Sequence, residues 1–189
     1  MGGGVIQAPV ERESRGCLPT LAIALLMVAI VGGGFFAAGA LSGRPPVPVE
    51  VGDGLTIAPP IQWQFVARID PPAGGSDGVL LTRGVGSLLV FTSPTAAAEQ
   101  LGQLRDELAG GPLMSVGTIG PAQTGRTEAA LRFAFTGAMP ELSAAPIEGE
   151  ATAVQGAGST AIFLAWADIG EYQLLRGEVE AMIRQAGIR

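Results

Sequence analysis

One long segment without charge constrains what this chain can fold into. Residues 16–43 contain no acidic or basic side chain, and Leu18–Leu41 form a continuous apolar run. As a helix, these residues reach about 36 Å at ~1.5 Å per residue, whereas the hydrocarbon core of a bilayer is about 30 Å thick. The run therefore predicts a transmembrane helix at residues 18–41, and a lipid bilayer as the first partner of the chain.

The charges beside this run predict its orientation. Arg12 and Arg15 precede it, and Arg44 follows it closely. Because Lys and Arg accumulate on the cytoplasmic side, the N-terminus is expected in the cytoplasm of a bacterium and the C-terminal domain outside its plasma membrane. The predicted organisation is a cytoplasmic tail at 1–17, a signal anchor at 18–41, a proline-rich spacer at 42–48 and an extracytoplasmic domain at 49–189.

A cleaved signal peptide is the second interpretation of the same segment. Leu21–Val31 has the length of a signal-peptide apolar core, and Ala38-Gly39-Ala40 fits a cleavage site. Phe35, Phe36 and Leu41 extend the run to full spanning length, which favours the anchor. Cleavage after Ala40 stays open as the alternative.

The residue types behind the anchor exclude several kinds of chemistry. The sequence has no His, its 11 basic residues are all Arg, and residues 45–189 hold 8 Arg against 15 Asp and Glu. An acidic domain repels nucleic acid, so no nucleic-acid partner is predicted. Without His or Lys the chain cannot form a Ser-His-Asp triad, a His metal site or a Schiff base. We therefore predict no cofactor, no metal site and a binding protein rather than an enzyme.

Alternating apolar residues behind the spacer predict strands, and two segments predict helices. Val47–Val51 and Leu55–Ile57 flank a Gly52-Asp53-Gly54 turn, which indicates a hairpin. Ser93 and Pro94 mark the start of a helix that Gly110-Gly111-Pro112 ends. The predicted elements are that hairpin, strands at 63–69, 79–83, 87–92, 113–119, 127–136, 150–155 and 160–167, and helices at 94–109 and 169–186.

This order of elements predicts an α+β fold. Strands linked as hairpins form a mostly antiparallel sheet, here of about seven to nine strands flanked by two helices and preceded by the transmembrane helix. Gly156–Ala161 matches the G-x-G-x-x-A pattern of dinucleotide sites. Because a strand pattern rather than a helix follows it, a hairpin turn is predicted there.

Two short motifs at the start of the domain resemble a known family. GDGLTIAPP at 52–60 is followed by IQWQF at 61–65. This resembles the opening of PsbP-like domains, the family that also includes the Ran-binding Mog proteins and the LpqN-type envelope lipoproteins of high-GC bacteria. The resemblance spans residues 49–186 by element order and Leu55–Trp63 by motif. It implies a non-catalytic accessory or binding domain, here with a membrane helix in place of a lipid anchor.

The sequence thus favours an accessory or stabilising subunit of an envelope complex, with a membrane or envelope protein as partner. An enzyme acting through two facing carboxylates, such as a glycosidase, is a further alternative. Another alternative is a carrier of a small apolar ligand, whose cavity between the sheet and the helices would be lined by Trp63, Phe65, Leu131, Phe133 and Phe135.

Overall fold

The computed structural model describes residues 47–111, 113–139 and 145–188. The predicted tail at 1–17, the membrane segment at 18–41 and most of the spacer lie outside the described residues. Within these three ranges, no helix is long and apolar enough to cross a membrane.

The described ranges form ten strands and two α-helices. The strands are β1 (Val49–Gly52), β2 (Leu55–Ile57), β3 (Gln64–Ile69), β4 (Ser76–Arg83), β5 (Gly86–Ser93), β6 (Met114–Val116), β7 (Gly120–Pro121), β8 (Ala130–Gly137), β9 (Ile147–Gln155) and β10 (Thr160–Asp168). The helices are α1 (Ala97–Ala109) and α2 (Tyr172–Gln185).

Eight of these strands form one antiparallel sheet. Its order is β3-β4-β5-β10-β9-β8-β6, and β7 pairs with β8 on the same side as β6. β1 and β2 form a separate hairpin. The predicted α+β class, the antiparallel sheet and the two helices are therefore confirmed.

The strand at the centre of the sheet is buried on both faces. Along β10 every side chain from Thr160 to Ala167 is buried, and the strand pairs with β5 on one side and β9 on the other. A continuous apolar run is typical of a strand covered on both faces, whereas a strand with one wet face alternates. β10 therefore divides two separate hydrophobic cores.

Each face of the sheet has its own cover. On one face, which we call the hairpin face, Leu55 and Ile57 of the hairpin pack together with Leu175 and Val179 of α2. On the opposite face, the α1 face, the apolar stripe of α1 packs on the sheet, with Leu101 and Leu104 almost fully buried. The domain is thus built of three layers, with one helix on each side.

A two-residue turn fixes the hairpin against the sheet. Asp53 and Gly54 have φ values of 47° and 76°, which match the Asp-Gly turn that a tight hairpin prefers. The Oδ2 atom of Asp53 accepts hydrogen bonds from Thr92 Oγ1 at 3.0 Å and from Ser76 Oγ at 3.2 Å. These bonds hold the turn at the end of the sheet where β4 begins and β5 ends.

The start of α1 differs from the prediction. Ser93 was expected to cap a helix beginning at Pro94, but Ser93 is still part of β5 and α1 begins at Ala97. The Ser93 hydroxyl instead donates to the buried side chain of Gln100 at 2.7 Å, and Gln155 Oε1 accepts the Ala97 N–H at 2.9 Å. The cap comes from β9, which is distant in sequence, so local spacing could not reveal it.

The glycine pattern between β9 and β10 forms the predicted hairpin turn. Gly156 N–H donates to Ser159 O at 2.8 Å, and β10 follows directly. No helix begins after these glycines, so the dipole that would hold a pyrophosphate is missing at this position.

Candidate interaction surface

The half of the hairpin face formed by β8 and β9 carries polar side chains. α2 packs mainly on β10, β5 and β2, so the helix lies to one side of these two strands. Cross-strand partners there are Arg132 with Thr152, Ala134 with Glu150, and Thr136 with Glu148. We call this set of six residues the polar face.

The polar face follows from the period of a strand. Alternate side chains of β8 point to opposite faces, so Phe133 and Phe135 are buried on the α1 face while Ala134 and Thr136 are exposed on the hairpin face. Since β9 is an interior strand, Glu148 and Glu150 do not lie at a sheet edge.

Glu150 is the centre of an ion-pair network on the polar face. Its side chain is only 17% exposed, and its carboxylate lies 3.3 Å from Arg176 Nη2 and 3.8 Å from Arg132 Nη1. Arg176 also contacts Glu180, with 3.2 Å between Nε and Oε1. A half-buried carboxylate needs such partners because removal from water disfavours its charge. The network therefore ties α2 to β8 and β9.

Tyr172 completes this network from the first turn of α2. Its hydroxyl donates to Glu150 Oε2 across 3.5 Å, and the residue is 3% exposed. Burial raises the pKa of the Tyr172 phenol well above its ordinary value, and the negative charge of Glu150 adds to the rise. The phenol therefore stays protonated at physiological pH and acts as a donor.

A small recess lies between α2 and the loop that precedes β8. The volume open to the centre of a water molecule is about 10 Å³, close to the minimum that holds one water. This recess is too small for an organic ligand, so the arrangement favours recognition by the polar face as a surface. The polar side chains around the recess are Gln123, Thr124, Arg132, Glu150, Thr152, Tyr172 and Glu180.

Arg126, in the same loop, fixes the other end of α2. Its Nη1 donates to the carbonyls of Ile183 at 3.2 Å and Ala186 at 2.5 Å. A cation at a helix C-terminus satisfies the last carbonyls and opposes the helix dipole. Its guanidinium also bonds Glu128, with 2.7 Å from Nη2 to Oε1, and these hydrogen bonds lower the pKa of the Glu128 carboxyl to about 2. The sequence does not predict this role of Arg126, because nothing local shows which carbonyls its guanidinium meets.

The first two residues of the predicted apolar-ligand site lie on the hairpin face. Trp63 is buried, and its indole Nε1 donates to Glu178 Oε2 of α2 at 2.8 Å. Glu178 also forms an ion pair with Arg83 at the end of β4. Phe65 lies in β3 opposite Leu81, and 53% of its surface is exposed.

The remaining three residues lie on the α1 face. Phe133 and Phe135 are buried there with their ring centres 6.4 Å apart and tilted by 55°, and Leu131 packs beside them. The structure therefore does not bring the five residues together, since the sheet separates Trp63 and Phe65 from the other three. The apolar-ligand site stays a prediction.

Comparison with known proteins shows a similarity of fold. No protein-family model matches the sequence, and no curated protein matches it. The solution structure of the PsbP protein CyanoP of the cyanobacterium Synechocystis is similar, with a TM-score of 0.56 at 9% identity over 78% of this chain and 95% of that chain.

Two further solved structures are similar at lower TM-scores. LpqN, described as involved in cell envelope biogenesis of Mycobacterium tuberculosis, has a TM-score of 0.48 at 14% identity over 78% of this chain and 87% of that chain. The Ran-binding protein Mog1p of Saccharomyces cerevisiae has a TM-score of 0.43 at 11% identity over 74% of this chain and 89% of that chain. The predicted PsbP-like resemblance is confirmed at the level of the fold by the similarity to CyanoP, whose TM-score is 0.56, and the described part of this chain folds like a PsbP-type domain.

Proposed function

We propose that this protein is a non-enzymatic accessory or stabilising subunit of a bacterial envelope complex. Residues 18–41 anchor it in the plasma membrane with residues 1–17 in the cytoplasm, and the spacer at 42–48 carries the domain at 49–189 on the outer side. The domain binds a membrane or envelope protein through the polar face.

The polar face is the observation that carries this proposal. A sheet face beside a packed helix normally becomes apolar core, yet here β8 and β9 present paired charges and exposed Ala134 and Thr136. Arg132 and Arg176 are about one-third exposed and are already oriented by Glu150. Preorganised Arg side chains on a flat surface suit contact with a protein partner, because less side-chain entropy is lost on binding.

The membrane part of the proposal is supported by the apolar run itself. A single charge in the middle of a spanning helix costs roughly 2.5–3.5 kcal/mol on insertion scales, and Leu18–Leu41 has none. The PsbP-type fold begins only eight residues later at Val49, which leaves a short, proline-containing spacer between anchor and domain.

The test is affinity purification of the tagged full-length protein from its own membranes in mild detergent, with intact-mass analysis. The wild type is compared with Ala134→Arg, which places a long charged side chain at the exposed centre of the polar face. Ala157→Arg is the matched control, since Ala157 is also exposed but lies in the turn between β9 and β10. We expect a stoichiometric partner and an intact N-terminus, with the partner lost in Ala134→Arg and retained in Ala157→Arg.

Other results would contradict the proposal in distinct ways. A partner retained equally by both variants would exclude the polar face as the binding surface. A product that begins after Ala40 and brings no partner would show a cleaved signal peptide, and the ligand-carrier alternative would then take first place. Turnover of an ester, peptide or phosphate that a single substitution abolishes would contradict the non-enzymatic role.

A further inference from the structure

The exposed large apolar side chains are concentrated at one end of the sheet. Strand pairing defines this end: Gln64 pairs with Thr82, Met114 with Gly137, and Ile147 with both Gly137 and Asp168. β3, β5, β6 and β9 begin here, and β4, β8 and β10 end here. The exposed large apolar residues that adjoin this end are Phe65, Val85, Leu113, Ile169 and Leu174; we call this set the apolar end.

One close approach in the domain brings together two chain segments that carry members of this set. Val85 lies in the turn between β4 and β5, and a Cβ added to Gly86 would meet Leu175 Cδ1 of α2. The first turn of α2 therefore packs on this turn through Leu175, while Leu174, the next residue towards the start of the helix, is 72% exposed and Val85 is 57% exposed. Ile169 directly follows β10 and precedes the same helix.

The hairpin through which the chain enters the domain opens away from the opposite end of the sheet. Asp53 holds the hairpin turn at the opposite end of the sheet, so the open end of the hairpin, between Val49 and Ile57, faces away from that end. The two segments that leave the open end carry the other exposed large apolar side chains of the described ranges, Val47 at 64% and Ile61 at 50%.

The opposite end of the sheet has a different character. Asp53, Asp70 and Asp77, near the hairpin turn and the loop between β3 and β4, are all exposed. The exposed turn at Ala157 lies at this end as well. The exposed large apolar side chains therefore adjoin one end of the strands, an end that also carries the carboxylates of Glu148, Asp168 and Glu171.

Chain length keeps the start of the domain near the bilayer. Five residues lie between Leu41, where the proposed anchor ends, and Val47, and at ~3.3–3.6 Å per residue the six steps from Leu41 to Val47 reach at most about 22 Å. β9 and β10 have nine residues each, so at ~3.3 Å per residue the strands are about 30 Å long. The tether is shorter than the strands, so the side at which the chain enters stays close to the membrane surface.

We propose that the apolar end rests on the outer surface of the bilayer, with Val85 and Leu174 inserted among the lipid headgroups. This inference rests on the proposed anchoring of residues 18–41. Exposed apolar side chains gain free energy when lipid removes them from water, and the exposed aspartates of the far end are kept away from anionic lipid. Glu171 is exposed beside Leu174, so zwitterionic lipid is the expected occupant. The contact would fix the orientation of the domain on the membrane, and so the orientation in which the polar face meets its protein partner.

The test uses the full-length chain reconstituted in phosphatidylcholine nanodiscs that contain a lipid-attached quencher. Cys17, the one cysteine of the sequence, is first replaced by Ser. A fluorophore is then attached at Val85→Cys, at Leu174→Cys or, as the matched control, at Ala157→Cys. We expect several-fold stronger quenching at positions 85 and 174 than at 157, little effect of high salt, and reduced quenching at 85 when Leu174→Asp is added.

Resistance to alkaline extraction, measured on the same samples, separates the two proposals. Integrated protein with equally weak quenching at all three positions would overturn the membrane contact and leave the anchor intact. Protein that is extracted by alkali would overturn both. Labels at 85 and 174 that are shielded from water in native membranes, but are not quenched by lipid in nanodiscs, would show that a protein covers the apolar end instead of lipid.

Discussion

Substitution of Gly149 by Ala is the sharpest test of how closely the sheet beneath the polar face is packed. Gly149 lies in β9 between Glu148 and Glu150, on the α1 face of the strand. A Cβ at this position would lie 2.2 Å from the carbonyl oxygen of Ala165 and 2.6 Å from Phe135 Cζ. The carbonyl belongs to the neighbouring strand, so relief of this contact requires β9 and β10 to separate, and the Phe135 ring must also shift.

The expected magnitude follows from the size of this overlap. An additional methyl group in a close-packed core costs about 1–3 kcal/mol, and occasionally more. Because a backbone atom is involved here, we expect the upper part of that range, about 3 kcal/mol. For a domain of this size 1 kcal/mol corresponds to roughly 2–4 °C, so the melting temperature should fall by about 6–12 °C.

The assay is thermal and urea unfolding of the full-length protein in detergent, followed by circular dichroism. Gly177→Ala is the matched control, because no atom lies within 4 Å of the added Cβ in the middle of α2. Ala is the better helix former, so this variant should be more stable by about 0.5–1 kcal/mol. The same chemical change thus has opposite signs at the two sites. A Gly149→Ala protein as stable as the wild type would refute the close approach of β9, β10 and Phe135.

Three further predictions concern single polar groups. Glu178→Ala should destabilise the domain by about 1–3 kcal/mol in urea unfolding, because it leaves the indole N–H of Trp63 buried without a partner and removes the ion pair with Arg83. The phenol of Tyr172, the one tyrosine of the sequence, should ionise only well above pH 10 in the folded protein. The ultraviolet absorbance of phenolate measures this ionisation. Since the folded state favours the neutral phenol, the contribution of Tyr172 to stability is complete below pH 10 and is lost as the pH rises further. The carboxyl of Glu128, whose pKa is lowered to about 2, should stabilise the fold above its ordinary pKa of 4.5, and this stabilisation should be lost as the pH falls from 4.5 towards 2. Carboxyl-carbon NMR measures the pKa, and unfolding at a series of pH values measures the stability.

Controls on nearby groups make these three predictions specific. Glu180→Ala removes a more exposed ion pair and should change stability by less than about 1 kcal/mol, so an equal loss in both Glu variants would contradict the role of Trp63. Glu150→Gln removes a negative charge beside Tyr172 and should lower the pH at which phenolate appears. Glu128→Gln should abolish its share of the acid dependence, and an unchanged profile between pH 4.5 and 2 would contradict the lowered pKa.

Local patterns in the sequence were sufficient to predict the strands and helices of this fold. The Asp53-Gly54 turn requires two positive φ values, and alternation along β8 separates Phe133 and Phe135 from Arg132 and Ala134 before any tertiary contact is known. The continuous apolar run of β10 indicates a strand covered on both faces. Each of these signals lies within a few residues of chain, where backbone sterics and the two-residue period act directly.

Tertiary structure alone decided which elements meet. The sequence shows that β8 has a polar side, but not that α2 packs beside it and leaves it open. The alternation over residues 63–69 shows that Trp63 and Phe65 share a face, but not that Phe133 lies on the other side of the sheet. Arg126 at the end of α2, and Gln155 at the start of α1, act over long sequence separations. The physical reason is that a strand or helix presents the same apolar stripe whichever element covers it. Which strands pair, and which helix covers each face, is therefore determined only when the whole sheet and its two cores form.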